Sequence, residues 1–198
     1  MNNKIANYKI ADKLDFRNNK KQLIISYLLR LLGLIIFAIV FFAIASFYNN
    51  QTTIQTLFNL EIEGLSGFVS ILLLISDVIF VLYLHELIHA SVFYITHKQK
   101  PKIGINGFVI FAAAPEQILT KQQLIINALA PFVVISIIGI ILMFFIPAQY
   151  IAWIFIPTLV NAAAAGGDFM TVFFVKKYPK NYRYNDIGDI LNVLKPNN

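Results

Sequence analysis

The chain has 198 residues, 58% of them hydrophobic and only 13% charged, with a mean hydropathy of +0.70. A soluble domain carries about 25% charged residues, so the composition excludes an ordinary water-soluble globule and points to a polytopic membrane protein. The absence of cysteine excludes a disulfide framework, a thiolate metal site and a cysteine nucleophile.

Residues 1–22 are polar and basic, with six Lys/Arg (Lys4, Lys9, Lys13, Arg17, Lys20, Lys21) against Asp12 and Asp15. The first predicted span covers residues 23–48. It is too long, and its lead too polar and extended, for a cleaved signal peptide. Arg30 lies near enough to its basic end to snorkel. Residues 49–67 carry Glu61 and Glu63 but no Lys or Arg. The second predicted span, residues 68–96, contains Asp77 and the run Leu84-His85-Glu86-Leu87-Ile88-His89.

The longest internal connection, residues 97–123, holds Lys98, Lys100, Lys102 and Lys121 against Glu116. Within it, residues 103–111 read as two short extended pieces about Asn106-Gly107, an Asn-Gly turn signal. Glu116, after Pro115, reads as a surface turn residue. Thr120-Lys121-Gln122-Gln123 has the form of a capping box that restarts a helix. The third and fourth predicted spans cover residues 124–146 and 151–175, with Pro131 and Pro157 inside them and Gly166-Gly167-Asp168 late in the fourth. The tail, residues 176–198, holds five Lys/Arg against two Asp and is expected to form a surface segment with a short helix near residues 186–194.

The fold class expected is therefore an all-α membrane protein of four transmembrane helices, with a short extended hairpin between the second and third. Three segments follow: a basic N-terminal segment (1–22), a four-span domain (23–175) and a basic tail (176–198). Lys and Arg dominate the first segment, the long connection and the tail, but not the two other connections. That alternation predicts a multi-pass cell-membrane protein with both termini cytoplasmic. The net charge of +6 is then accounted for by topology and contact with anionic lipid. The basic residues flank spans rather than forming a patch with aromatics, so no nucleic-acid partner is expected.

His85 and His89 stand four apart, hence on one helix face, where both imidazoles can reach one ion. Neutral imidazole is a good zinc ligand, and Glu86 between them can hold and deprotonate a metal-bound water. A catalytic zinc usually has three protein ligands. His97 is eight residues past His89, about 12 Å along a helix, so Asp168 is the better third candidate. Spans two and four run in the same direction, and His89 and Asp168 lie at similar distances before Lys98 and Lys176. Three ionisable groups at one depth of a bilayer are costly unless they share a purpose. Other readings stay open: a core-paired histidine couple, and Asp168 paired to Lys176 or Lys177. Asn161, two turns before Asp168, can hold a substrate backbone, polarise a carbonyl, or simply pack between spans. Asp77 can support the site or pair with Arg30. Pro131 and Pro157 can open a water-filled gap by kinking their helices.

The His85-Glu86-Leu87-Ile88-His89 run, Ala114-Pro115-Glu116 leading to Leu129-Ala130-Pro131, and Asn161 with Gly166-Gly167-Asp168 together resemble the zincin peptidase family of small bacterial membrane proteins, domain of unknown function 3267. More distantly, the layout is similar to the site-2 intramembrane metalloproteases. In those the aspartate follows an Asn-Pro motif ending in Asp-Gly, whereas here Gly167 precedes Asp168. The resemblance implies that His85, His89 and Asp168 bind zinc and that Glu86 is the general base. It also implies that residues 103–111 form an edge to which an unfolded substrate strand adds. The function expected is zinc-dependent hydrolysis of a peptide bond near the cytoplasmic membrane face, in a protein or peptide substrate associated with the membrane. The rival is a non-catalytic metal-binding membrane protein acting as an accessory or immunity factor. Oligomeric state is not legible in the sequence.

Overall fold

In a computed structural model the apolar runs become helices and the polar segments between and beyond them supply strands; the structure describes residues 8–48, 50–98, 100–106 and 109–197. The order is β1 (Tyr8–Asp15), α1 (Lys20–Tyr48), a one-turn α2 (Ile54–Leu57), α3 (Gly67–His97), β2 (Lys102–Asn106), β3 (Val109–Ala113), α4 (Lys121–Phe145), α5 (Ala152–Ala164), α6 (Gly166–Lys176), β4 (Arg183–Asp186) and β5 (Ile190–Pro196). Four helical stretches are long and apolar enough to cross a membrane: α1, α3, α4, and α5 with α6 taken together. Along α1 and α3 most Leu, Ile and Phe side chains are exposed, as suits helices whose solvent is lipid.

The expected hairpin is present. Strands β2 and β3 pair antiparallel, with Ile103 opposite Ala112 and Gly104 opposite Phe111. Gly107 and Phe108, at the expected Asn-Gly turn, lie outside the described residues, as do residues 1–7 of the basic N-terminal segment. The capping box also forms: Thr120 Oγ1 accepts from Gln123 N at 3.3 Å, and Thr120 N donates to Gln123 Oε1 at 2.9 Å. Glu116 is exposed in its turn.

Two expectations are corrected. The tail forms β4 and β5 rather than a helix near residues 186–194, and the chain is not all-α, because β1, β5 and β4 make a three-stranded antiparallel sheet in that order. The physical reason is long-range. Leu191 and Val193 in β5 bury in one cluster with Leu14 and Tyr184, and a strand brings both ends of the chain into one core where an isolated short helix would leave them wet.

The chain divides into two compact bodies: Met1–Leu29 with Glu86–Pro131 and Ala165–Asn198, and Arg30–His85 with Phe132–Ala164. The first holds all five strands around a core of Leu14, Phe93, Leu119, Leu124, Tyr184 and Val193. Here β4 continues along the segment that follows β3, with Leu119 N to Tyr184 O at 2.8 Å and Tyr184 N to Leu119 O at 2.9 Å. The second body is helical, with a core of Phe41, Leu57, Met143, Ile151 and Phe155. In it Gly139 lets α4 approach α5 closely, since a Cβ there would stand 2.2 Å from Thr158 Oγ1. Helices α4 and α5 continue through Pro131 and Pro157, and the fourth stretch is interrupted at Ala165 instead.

Candidate metal centre

Helix α3 runs unbroken through His85, Glu86 and His89, so the boundary between the two bodies, falling after His85, does not interrupt the backbone that places them. Both imidazoles are buried, at 5% and 8% exposure. Asp168 sits in the first turn of α6, where the positive end of the helix dipole favours a carboxylate. Ligand atoms of His85, His89 and Asp168 all lie within 4.8 Å of one another. His89 Nε2 and Asp168 Oδ1 are 3.4 Å apart. Zinc–ligand bonds of about 2.1 Å in tetrahedral array put neighbouring donors about 3.4 Å apart, so the His89–Asp168 separation and the chemistry of the three donors fit zinc. Lys177, the alternative partner for Asp168, pairs with Asp12 at 3.3 Å.

Each histidine is held by its other nitrogen. His85 Nδ1 lies 2.8 Å from Asn161 Oδ1, and His89 Nδ1 lies 3.0 Å from the backbone oxygen of Asn127. Both partners are acceptors, so both Nδ1 atoms carry the proton, which leaves the Nε2 atoms as the ones that could ligate a metal. Asn127 also donates from Nδ2 to His89 O at 2.9 Å, which closes a reciprocal clasp.

Sequence reading missed Asn127, although a signal was there. Pro131 has no N–H, so the carbonyl four residues earlier loses its helical partner. That carbonyl belongs to Asn127, and His89 takes it. Asn161 is fully buried, and its role is more specific than the sequence suggested: Oδ1 accepts from His85 while Nδ2 has no partner among the described residues. Asp77 is half-buried and forms no ion pair with Arg30 or with a site residue among those described. The side chain of His97 lies outside the described residues.

Glu86 points at the hairpin. Its Oε2 accepts from Ala112 N at 2.8 Å. Ala112 is opposite Ile103, and an N–H given to Glu86 is not given to β2, so it belongs to the outer edge of β3. Two residues on, Ala114 N donates to Asp186 O at 3.1 Å. Asp186, from β4, was not singled out in the sequence. Its carboxylate stands in the electrostatic field of His89, Asp168 and Glu86, and burial is the first cause that pushes it up to about 6, opposed by the Gly188 N–H. The arrangement gathers three side chains that could hold a metal, the Glu86 carboxylate on the same helix as the two histidines, and a strand edge that meets that carboxylate.

No curated protein and no solved structure matches the chain. The sequence model of the family described as "Putative zincin peptidase" (domain of unknown function 3267) matches residues 78–183, which take in the His-Glu-x-x-His run, the hairpin and Asp168. The match spans more than half of the chain, and the protein belongs to that family.

Proposed function

We propose that the protein is a zinc-dependent membrane endopeptidase, with its termini and its site on the cytoplasmic side. The observation that carries this reading is Glu86: a carboxylate between two histidines placed where they could ligate a metal, accepting the Ala112 N–H at the outer edge of β3. A purely structural metal site has no use for such a group. His85, His89 and Asp168 would hold the ion, which when bound supplies Lewis acidity to the scissile carbonyl and to the attacking water.

The chain's own residues do the rest. Asn161 and Asn127 fix the imidazole tautomers. A substrate segment adds along the β3 edge, where main-chain bonds give affinity without sequence. Glu86 leaves the Ala112 amide, takes a proton from water as the C–O bond forms, and returns it to the leaving nitrogen as the C–N bond breaks.

The test is metal content and proteolysis of detergent-purified wild type beside His85→Ala, Asp168→Ala and Glu86→Gln. We expect about one zinc per chain, lost in the first two variants and kept in Glu86→Gln, with cleavage reduced about 100- to 10,000-fold in the latter. Retained cleavage in Glu86→Gln would sink the assigned base. Zinc lost together with Glu86 would favour the non-catalytic metal-binding reading.

A further inference from the structure

Helix α3 carries a carboxylate that the metal centre does not use. Asp77 stands ten residues after Gly67 and twenty before His97, so the nearer end of the helix is about 15 Å away. The helix is long and apolar enough to cross a membrane. In an apolar core about 30 Å thick, a side chain as short as that of Asp77 reaches neither surface. An ionisable group at such a depth is costly unless it is paired. Asp77 is half-buried, and its carboxylate makes no hydrogen bond or ion pair with any described residue.

A second feature of α3 falls at the same level. Val69, Leu73, Ser76, Phe80 and Tyr83 recur at alternating steps of four and three, the spacing of a left-handed seam between two helices. All five are exposed, Phe80 at 56% and Leu73 at 44%, so no described segment covers the seam. Ser76 puts a small side chain at its centre, which lets a second helix approach closely in lipid. Elsewhere in the helices, Ser26, Ser91 and Thr96 return their hydroxyls to carbonyls three or four residues earlier. The Ser76 hydroxyl does not, and neither it nor the Tyr83 hydroxyl has a partner among the described residues. Asp77 follows Ser76 and so flanks the seam, where charged side chains select a partner.

From this exposed seam with an unpaired carboxylate at its edge, we infer that α3 docks a transmembrane helix of a second protein, one that carries a Lys or Arg level with Asp77. The carboxylate sets the sign of the partner's charge, and the seam sets its form. A second copy of this chain does not supply that cation. Arg30 lies eighteen residues from the Tyr48 end of α1 and Asp77 ten from the Gly67 end of α3, which separates their depths by about 12 Å. The docking needs α3 to span the membrane and does not depend on the peptidase reading.

The experiment places full-length protein in phosphatidylcholine vesicles with synthetic poly-leucine transmembrane peptides. These hold Lys, Leu or Glu at successive central positions. Because the chain has no cysteine, Glu63→Cys takes a single acceptor dye, and the peptide carries the donor. The best Lys peptide should associate about tenfold more tightly than the Leu peptide, and Glu peptides no better than Leu. The preference should vanish in Asp77→Leu and survive in Asp77→Glu. Ser76→Phe should weaken binding of the Lys peptide by crowding the seam, with the melting temperature unchanged because the face is exposed. A Lys preference that is absent, or that Asp77→Leu leaves intact, overturns the inference. Energy transfer between two labelled copies that Asp77→Leu abolishes also overturns it, by assigning the face to self-association.

Discussion

Pro131 removes one hydrogen bond from α4, and the freed Asn127 carbonyl meets His89 Nδ1 instead. Restoring the N–H with Pro131→Ala would let the Asn127 carbonyl rejoin its helix and leave His89 Nδ1 without its acceptor. Helix stability should rise while zinc affinity falls about 10- to 100-fold, measured by competition with a zinc chelator. Unchanged affinity would show that the Asn127 carbonyl is not what orients His89. Asn161 makes a parallel case. An unmade buried hydrogen bond costs about 1–3 kcal/mol, and Asn161 Nδ2 makes none among the described residues. Asn161→Leu removes that orphan but also the acceptor of the buried His85 Nδ1, so the two effects on the metal-free protein oppose each other. Its stability should change little, while zinc binding weakens about tenfold or more. A fall in thermal stability with unaltered affinity would make Asn161 a packing residue.

Between elements, two local devices set the geometry. The junction of β1 and α1 is organised by Asp15, whose Oδ1 accepts from Asn18 N at 2.8 Å and Arg17 N at 3.1 Å while Oδ2 meets Lys13 Nζ at 3.0 Å. These bonds, the Asn18 N–H first, hold its carboxyl down from the usual 3.8 to about 2. A carboxylate depressed in the folded state contributes stability above its unfolded pKa, and the contribution is lost as pH falls through the folded one. The melting temperature should thus drop between about pH 4 and pH 2, and the drop should be smaller in Asp15→Asn. The second device is Gly139. A methyl there collides with the β-branched, buried Thr158 of α5. Gly139→Ala should cost about 1–3 kcal/mol in unfolding measurements, and Thr158→Ser in the same chain should recover part of it by removing the Cγ2 contact.

For the whole molecule, the absence of cysteine makes topology directly measurable, because any introduced thiol is the sole one. Lys9→Cys, Glu63→Cys and Lys195→Cys should be labelled by an impermeant maleimide on intact cells only at position 63. Labelling at 9 or 195 would reverse the proposed orientation. The first body also needs both ends of the chain. Leu14 and Val193, from β1 and β5, are fully buried in its core, and His89, Asp168 and Asp186 belong to the same body. Ending the chain before Ile190 should abolish zinc binding along with folding of that body, even though every residue of the family match is retained.

The positions of four membrane-length helices, the histidine pair and the capping box at Thr120 were legible from the chain alone. Each depends on interactions a few residues apart: continuous apolar length, an i,i+4 spacing, a side chain reaching its own backbone. Asp168 was legible too, by counting depth along two parallel runs. The strands of the tail were not, since an eight-residue β1 and a seven-residue β5 take their shape from each other across most of the sequence. Nor was Asp186, whose backbone meets the β3 edge at Ala114 through strand pairing and not through any local pattern. Local hydropathy and spacing singled out the residues that could hold a metal. Tertiary structure decided how the imidazoles are held, where Glu86 points and which segment closes the β3 edge at Ala114, because those contacts join segments that nothing in their own neighbourhood brings together.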